Sequence, residues 1–460
     1  MEIIAALEKR IKDNWLLGYD SSQFNQCFEH LYLELTQLHR EGIPPKILLA
    51  ERDPVRFIAG FMAARAAGCP VFLTNPNWVR QEWQQVFKLV QPDLILGYGD
   101  WGVREYYPNP EPLIVNPEWI MIPTGGSSGE IRFAIHTCET LMASVRGFQQ
   151  YFQLHQVNSF CVLPLYHVSG LMQFLRSFTS GGQLAIVPFK ELAAGKKCDL
   201  EPDEFFISLV PTQLQRLLQN PVLASWLSRF QTVLLGGAPA WAELLEQARR
   251  DRIQLAPTYG MTETASQIVT LKPKDFLANN NSCGQVLPHT KVAVRNSTGQ
   301  ILGANQIGNI TIQAESLALG YYPKLFTQDD FQLDDLGFFD ERGYLNIVGR
   351  NSKKIITGGE NVFPSEVEAA IKATQLVDDV CVIGLPDLQW GQVVTAIYVP
   401  ISSNISAATL QTAIEDKLSK FKRPKYWIPL AELPRNSQGK LNSQQLQQIA
   451  IESLQIYSIQ

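Results

Sequence analysis

The chain lacks the cysteine pattern of a disulfide-stabilised or zinc-binding protein. Its 460 residues include only seven cysteines, and none of them forms a CxxC pair. An odd, dispersed set of this kind is typical of reduced thiols and argues against both a disulfide framework and a cysteine zinc site. We therefore expect a protein of a reducing compartment, with the cytoplasm as its location.

Excess positive charge and long apolar runs are also missing. The 39 basic residues are outnumbered by 44 acidic ones, so the net charge is −5 and a nucleic-acid partner is not expected. The longest apolar region, 57–73, is interrupted by Arg65 and is too short for a transmembrane segment. The N-terminal residues do not have the layout of a signal peptide. Any bound anion must therefore meet local donors instead of a general positive field.

The length and the local patterns predict more than one core. A chain of 460 residues exceeds the usual size of one domain. In the first 285 residues, Asp53-Pro54 is expected to begin a helix, 71–73 to form a strand, Asn77 to cap the next helix and 94–96 to form the next strand. Because this βαβ rhythm recurs at 232–255, we expect an α/β fold with parallel sheets covered by helices.

The predicted secondary-structure pattern changes after about residue 285. Shorter β-like runs follow, and a polar, turn-compatible stretch at 349–352 separates them from a compact α+β pattern. We predict a large N-terminal domain over 1–349, a hinge at 350–352 and a small C-terminal domain over 353–460.

A loop rich in glycine and hydroxyl groups follows a strand candidate at 118–122. Its backbone N–H groups and hydroxyls can surround phosphate oxygens. It is not a Walker loop, because GxxxxGK[ST] is missing and a β-like run follows instead of a helix. A plain flexible hairpin is the alternative. Arg132 follows at a distance from which a cation can reach terminal phosphates. The loop residues are Thr124, Gly125, Gly126, Ser127, Ser128 and Gly129.

Two further motifs carry charged groups. Tyr259-Gly260-Met261-Thr262-Glu263 offers a carboxylate for a metal ion, although a Thr-Glu pair alone is more often a helix cap. Gly439-Lys440 presents a lysine on a turn, although most Gly-Lys pairs are simply solvated.

Taken together and in this order, the motifs resemble those of the adenylate-forming superfamily, the acyl- and aryl-CoA synthetases. These enzymes activate carboxylic acids with ATP and transfer them to coenzyme A. The resemblance implies a large domain of mixed and parallel sheets with a β-barrel-like part, and a small mobile C-terminal α+β domain. It also implies Mg²⁺ as cofactor and ATP and coenzyme A as co-substrates.

The resemblance assigns an ATP site. It implies that Tyr259 stacks near adenine, Thr262 donates to the α-phosphate, Glu263 binds Mg²⁺ and Lys440 is catalytic. Two departures stand out: Ile131-Arg132 replaces the usual Pro-Lys after the loop, and Leu333-Asp334 replaces the Thr-Gly before Asp335. The remaining ATP contacts implied by the family are Gly237, Ala238 and Gly260 near the base, and Asp335 and Arg350 at the ribose.

The resemblance also assigns the acyl and thiol sites. His167, in 163–170, is implied between the acyl pocket and the thiol tunnel, with a catalytic role. Ser352 occupies the hinge position of the family. The acyl contacts implied are His167, Ser266, Gly260 and Met261, and the coenzyme A tunnel is lined by Gly358, Gly359 and Glu360.

Within the superfamily, the runs 260–270, 387–392 and 434–441 are most similar to the o-succinylbenzoate–CoA ligases of menaquinone and phylloquinone biosynthesis. The expected partners are small molecules, namely a carboxylic acid, ATP and coenzyme A, and a homo-oligomer is left open. Three alternatives remain at this point. They are a ligase for another aryl or medium-chain acid, a carrier-loading adenylation module, and a non-catalytic nucleotide-binding relative.

Overall fold

The structure is a computed structural model of the chain. It describes residues 7, 9–10, 13–39, 44–98, 103–106, 115–125, 131–196, 198, 200–327, 331–357, 360–387, 390–418, 420–435 and 441–457.

Helices lie in both halves of the described chain. They are α1 (Ser21–His39), α2 (Pro54–Ala66), α3 (Arg80–Val90), α4 (Cys138–Phe152), α5 (Val168–Ser180), α6 (Phe189–Ala193), α7 (Pro211–Leu218), α8 (Pro221–Leu227), α9 (Ala242–Arg250), α10 (Pro273–Leu277), α11 (Pro364–Lys372), α12 (Ala407–Ala413) and α13 (Ser443–Tyr457).

Strands and helices are interspersed up to β14, and the strands β14 to β22 then follow one another without an intervening α-helix. The strands before residue 290 are β1 (Leu16–Leu17), β2 (Ile47–Leu49), β3 (Val71–Leu73), β4 (Leu94–Tyr98), β5 (Val103–Tyr106), β6 (Ile120–Gly125), β7 (Ile131–His136), β8 (Asn158–Cys161), β9 (Leu184–Ile186), β10 (Phe205–Leu209), β11 (Thr232–Leu235), β12 (Leu255–Met261), β13 (Ser266–Thr270) and β14 (Gln285–Val286). The later strands are β15 (Thr290–Arg295), β16 (Gly308–Ala314), β17 (Gly320–Tyr321), β18 (Lys324–Leu325), β19 (Phe331–Phe339), β20 (Leu345–Arg350), β21 (Ile355–Thr357), β22 (Glu360–Val362), β23 (Val377–Asp387), β24 (Gly391–Pro400) and β25 (Tyr426–Pro429).

Two eight-stranded sheets form most of the molecule. The first has the order β1-β9-β8-β10-β11-β12-β13-β14 and is parallel as far as β12. The second has the order β18-β17-β7-β6-β3-β2-β4-β5, with a parallel centre between β6 and β4. Helices cover both sheets, so the expected mixed α/β fold is confirmed.

The β-barrel-like part implied by the resemblance is not found in the described residues. In the described residues, β15, β16, β19 and β20 form an open four-stranded antiparallel sheet, with no pairing that closes it into a barrel. Its apolar face packs against Ile268 and Val269 of β13, so burial on one side substitutes for closure.

The C-terminal part builds its own sheet. Strand β24 lies between β23 and β21, β22 follows β21 at the edge, and β25 adds to β24 in parallel. Val367 and Ile371 of α11 are fully buried against this sheet. The predicted boundary at 349–352 covers the last two residues of β20 and the start of the turn before β21, and the division into two domains stays a prediction.

Local capping explains one correct and one wrong helix start. Asp53 caps α2, where its Oδ1 accepts from the N–H of Arg56 at 2.9 Å. Asn77 does not cap the next helix, which begins three residues later. The Asn75 side chain accepts from the N–H of Asn77 at 2.9 Å, so an Asx turn occupies this stretch instead.

Helix α5 lies in the largest core of the molecule. Phe174 of α5 meets Phe61 of α2 edge to face, with ring centroids 6.2 Å apart. The first turn of α5 lies so close to the preceding loop that a Cβ on Gly170 would come within 2.2 Å of the carbonyl oxygen of Pro164. This position therefore admits only glycine without movement of the backbone.

We predict that Gly170→Ala lowers the free energy of unfolding by about 1–3 kcal/mol, because the helix must shift away from Pro164 to admit the methyl group. Urea unfolding measures this. Gly303→Ala is the matched control, since a Cβ there meets nothing within 4 Å. Equal stability of the two variants would contradict the close approach.

Candidate active site

A buried carboxylate lies where the two large sheets meet. Glu263 follows β12 of the first sheet and is only 7% exposed. Its Oε1 accepts a hydrogen bond from the Tyr321 hydroxyl at 2.6 Å and a long one from the Thr124 hydroxyl at 3.5 Å. Tyr321 and Thr124 belong to β17 and β6 of the second sheet. Burial and the Glu263 carboxylate raise the pKa of Tyr321, so its hydroxyl stays a donor.

Arg132 lies beside this carboxylate. In the β6–β7 hairpin it pairs directly with Thr124. Its guanidinium carbon lies 4.6 Å from the centre of the Tyr321 ring, in a cation–π contact. The side chain is nevertheless exposed, so its donors can meet an anion. The arginine that replaces the usual lysine is thus held at the edge of the Glu263 cluster.

His136 holds the backbone of the Thr262-Glu263 motif. Its Nε2 lies 2.8 Å from the carbonyl oxygen of Thr262, and its Nδ1 lies 3.1 Å from the Thr140 hydroxyl. Because a carbonyl only accepts, Nε2 carries the proton and Nδ1 is the acceptor. Burial lowers the pKa of His136 to about 4, so the ring is neutral at pH 7.

The three carbonyls that follow Thr262 are bonded in the same way. Each accepts from a donor distant in sequence, at 2.7–2.9 Å. The Ala318 N–H donates to the backbone carbonyl of Glu263, the Ser316 hydroxyl to that of Thr264, and the Ser144 hydroxyl to that of Ala265. The segment is therefore fixed in position independently of its own side chains.

The predicted ribose contacts lie together near Tyr259, which precedes the last two residues of β12. The Tyr259 hydroxyl donates to Asp335 Oδ2 at 2.6 Å, and Arg350 Nε lies 3.2 Å from Asp335 Oδ1. Asp335 and Arg350 are direct partners in the β19–β20 pair. Burial, with the neighbouring Asp335 carboxylate, raises the pKa of Tyr259 above its ordinary value. The predicted base contacts Gly237 and Ala238 follow β11, which pairs with β12 beside Tyr259.

The predicted acyl contacts Gly260, Met261 and Ser266 share one hairpin. Ser266 of β13 pairs with Met261 of β12. The backbones approach so closely that a Cβ on Gly260 would lie 2.1 Å from the carbonyl oxygen of Ser266. Ser266 itself adopts φ 99°, an unfavourable value for a residue with a side chain.

An arginine that the sequence motifs do not mark contacts this hairpin. Arg176 of α5 donates through Nη2 to the Ser266 hydroxyl at 3.0 Å and to Gln267 Oε1 at 2.9 Å. It is 3% exposed, and burial lowers its pKa to about 9, which still leaves it charged at pH 7. Its Nε has no hydrogen-bond partner, and no acidic side chain of the described chain pairs with it. A buried cation of this kind calls for an anion.

His167 stands at the opposite end of the same helix. It is the residue before α5, about two and a half turns ahead of Arg176. Its ring lies 4.6 Å from that of Tyr166, between centroids. The helix axis therefore links the predicted mouth of the acyl pocket to Arg176 and Ser266.

Several predicted site residues lie outside the described residues, and their roles stay predictions. Ser352 lies in a short 3₁₀ turn at 351–353, and Glu360 begins β22. The residues outside are Gly126, Ser127, Ser128, Gly129, Gly358, Gly359 and Lys440.

The donor set around Glu263 suits magnesium held jointly with a substrate. The described part of the chain has no cluster of three or more His, Cys, Asp or Glu side chains that could hold a metal alone. Mg²⁺ is usually bound by one or two carboxylates together with substrate phosphates. A single buried carboxylate next to the phosphate loop fits that pattern.

The sequence matches the AMP-binding enzyme family over residues 102–322 and the C-terminal domain of AMP-binding enzymes over 366–440. This chain therefore belongs to the AMP-binding enzymes, and the resemblance to adenylate-forming enzymes is confirmed. No helix of the described residues combines the length and apolar character required to cross a bilayer.

Its curated relatives include enzymes that act on one particular acid. The 2-succinylbenzoate–CoA ligase of Enterococcus faecalis is 33% identical over 69% of this chain and 67% of its own length. That of Oceanobacillus iheyensis is 36% identical over 63% of this chain. The aligned part spans 61% of the Oceanobacillus enzyme, slightly less than two thirds.

Solved structures support the fold. The o-succinylbenzoate CoA synthetase of Bacillus subtilis, in complex with its acyl-adenylate intermediate, superimposes with a TM-score of 0.82 over 97% of both chains at 22% identity. ATP-bound MatB from Rhodopseudomonas palustris gives 0.81 over 97% of this chain and 98% of its own, also at 22% identity.

We predict that Glu263→Gln slows the ATP-dependent step by about 10²–10³-fold and shifts its Mg²⁺ dependence to higher concentrations, because the amide no longer carries the charge that attracts the ion. Diphosphate release over a Mg²⁺ titration measures both effects. Glu341→Gln, which changes an exposed acid in a turn, is the control. An unshifted Mg²⁺ dependence would exclude Glu263 as a ligand.

The depressed pKa of His136 predicts a pH-dependent stability. The unfolded chain takes up this proton near the ordinary value of 6.5, whereas the folded protein takes it up only near 4. Stability is therefore lost as pH falls through this window, by about 3 kcal/mol for this group in total and by about 2 kcal/mol between pH 7 and pH 5. His136→Gln keeps a donor for Thr262 and should flatten the change measured by urea unfolding at pH 7 and pH 5. An unchanged slope would contradict the assignment. His289, whose pKa is also lowered to about 4 by burial, accounts for a remaining slope.

Proposed function

We propose that this chain is an AMP-forming acid–CoA ligase that converts o-succinylbenzoate, ATP and coenzyme A into o-succinylbenzoyl-CoA, AMP and diphosphate. Membership of the AMP-binding enzymes and the names of its curated relatives support the activity. The reaction belongs to menaquinone or phylloquinone biosynthesis. The seven thiols of the chain suit a reducing compartment, so we propose the cytoplasm as its location.

The observation that carries the choice of acid is the buried cation beside Ser266. o-Succinylbenzoate has two carboxylates, one aliphatic and one on the ring, and only the aliphatic one is activated. The ring carboxylate must then be recognised inside the pocket. Arg176 supplies a desolvated positive charge, and Ser266 and Gln267 hold its guanidinium in place. A carboxylate bound there would complete the pairing that a buried charge requires.

The first half-reaction forms the acyl-adenylate. When bound at Glu263, Mg²⁺ would offset charge on the phosphates. Tyr321 and Thr124 orient the carboxylate, and Arg132 presents a cation to the terminal phosphates. The aliphatic carboxylate attacks the α-phosphorus, and diphosphate leaves. Lys440 is assigned to stabilise the charge that develops at this step.

The ribose and base are assigned to the region around Tyr259 of β12. Asp335 can accept hydrogen bonds from the ribose hydroxyls, and Arg350 and the Tyr259 hydroxyl fix its carboxylate. Tyr259 thereby links the nucleotide contacts to Gly260 and Met261, which face the acyl group.

The second half-reaction transfers the acyl group to coenzyme A. The thiolate attacks the acyl carbonyl, and AMP leaves. We assign Gly358, Gly359 and Glu360 to the tunnel, His167 to its meeting point with the acyl pocket, and rotation about Ser352 to the change between the steps.

A panel of acids tests the proposal. We expect o-succinylbenzoate to exceed 4-oxo-4-phenylbutanoate, which lacks the ring carboxylate, by as much as about 10⁴ in kcat/KM, because a site built to bind a charged group leaves its own groups unpaired without it. If 4-oxo-4-phenylbutanoate or a medium-chain acid is used as well as o-succinylbenzoate, the choice of acid is wrong and only the assignment as an acid–CoA ligase stands.

Arg176→Gln provides a sharper prediction. We expect it to lower kcat/KM for o-succinylbenzoate by roughly a hundredfold or more while changing that for 4-oxo-4-phenylbutanoate far less, since only the first substrate carries the partner charge. Arg216→Gln, on the exposed face of α7, is the control. Equal losses with both acids would show that Arg176 supports the fold and not the ring carboxylate.

A further inference from the structure

We propose that Trp241 and Lys372 are positioning residues for the adenylation step, because their contact docks the C-terminal part on the N-terminal part in one orientation. The inference rests on the proposed function and adds a requirement to its first half-reaction. None of the sequence motifs includes either residue.

The contact joins two separate hydrophobic cores. The Nζ of Lys372 lies 4.6 Å from the centre of the Trp241 ring, within the range of a cation–π interaction. Trp241 precedes α9 and packs against the core of the first sheet. Lys372 ends α11, whose inner face belongs to the core of the C-terminal sheet. The interaction therefore fixes one core relative to the other.

Lys372 is held for this contact by an acidic partner. Its Nζ lies 3.4 Å from Asp379 Oδ1, and the two side chains are only 23% and 21% exposed. At this exposure solvent screens the pair less than at an open surface. The other oxygen, Asp379 Oδ2, accepts from Arg435 Nη2. One carboxylate thus connects the lysine on Trp241 to Arg435.

Arg435 immediately precedes the segment 436–440, which contains the predicted catalytic lysine. It forms a backbone bridge with Leu441, so the described residues on either side of 436–440 are neighbours. Lys440 is covalently joined to Leu441. The orientation set at Trp241 therefore determines where both ends of this segment lie relative to Glu263.

A second contact between the two parts lies next to the predicted domain boundary and is a hydrogen bond. The Ser365 hydroxyl donates to the carbonyl oxygen of Val348 at 3.1 Å, across the predicted hinge. Trp241 is far from the predicted hinge in sequence, so a rotation there would change its distance from Lys372 more than that between Ser365 and Val348. The Trp241–Lys372 contact is thus able to distinguish the two half-reactions.

The experiment separates the two half-reactions in purified variants. Lys372→Met keeps the length of the side chain without its charge, and Trp241→Ala removes the ring. We expect both to slow diphosphate release without coenzyme A by about 3- to 30-fold, the range for loss of one cation–π contact. Thioester formation from preformed acyl-adenylate should be unchanged. Lys372→Arg, which keeps the cation, should restore the first step.

A matched control and a substrate-free measurement complete the test. Lys417→Met changes a lysine whose Nζ bonds to Ala373 within the C-terminal part, and it should leave both steps unchanged. Trypsin cleavage after Arg350, Lys353 or Lys354 should quicken in Lys372→Met and Trp241→Ala but not in Lys372→Arg.

The outcomes distinguish this inference from the proposed function. An unmodified protein inactive with o-succinylbenzoate counts against the proposed function, and trypsin cleavage then decides the contact alone. Unchanged diphosphate release in both variants overturns the positioning role, as does an equal loss in both half-reactions. Unchanged cleavage in both overturns the docking contact itself.

Discussion

The structure depends on the anchoring of one short segment, 262–265, between the two large sheets. Its four successive carbonyls accept hydrogen bonds from His136, Ala318, Ser316 and Ser144, all of them outside the segment. Each such bond is modest alone, but losing the one at Glu263, Thr264 or Ala265 would deprive a buried residue's carbonyl of that donor. The Glu263 carboxylate thus occupies a position that the backbone around it dictates.

This anchoring connects the groups on either side of the segment. Before it, Tyr259 of β12 donates to Asp335, which also meets Arg350, and just after it Ser266 of β13 meets Arg176. The predicted nucleotide contact Tyr259 and the predicted acyl contacts Gly260, Met261 and Ser266 therefore lie on one hairpin, β12–β13. A substrate whose acid and nucleotide ends bind on this hairpin gains from the fixed distance between them, because little entropy remains to be lost on reaction.

Local sequence motifs predicted several of the site residues, whose roles stay predictions. Glu263, Asp335 and Arg350 are examples, and the structure brings the last two into direct contact. Arg176, Tyr321 and His136 were missed because their partners lie 90, 58 and 126 residues away, and no local spacing encodes such pairs. The helix start predicted at Asn77 was wrong for a different reason: the Asn75 side chain accepts from the N–H of Asn77 and forms a turn there.

The backbone of Ser266 has a consequence for engineering the protein. Its φ of 99° suits glycine, so replacement by glycine would relieve local strain. The same replacement would remove the hydroxyl that holds the Arg176 guanidinium. Under the proposed role of Arg176, selection for greater heat resistance would therefore favour a change that weakens discrimination between acids. Stability and substrate selectivity would then compete at this single residue, so a more stable variant would be less selective.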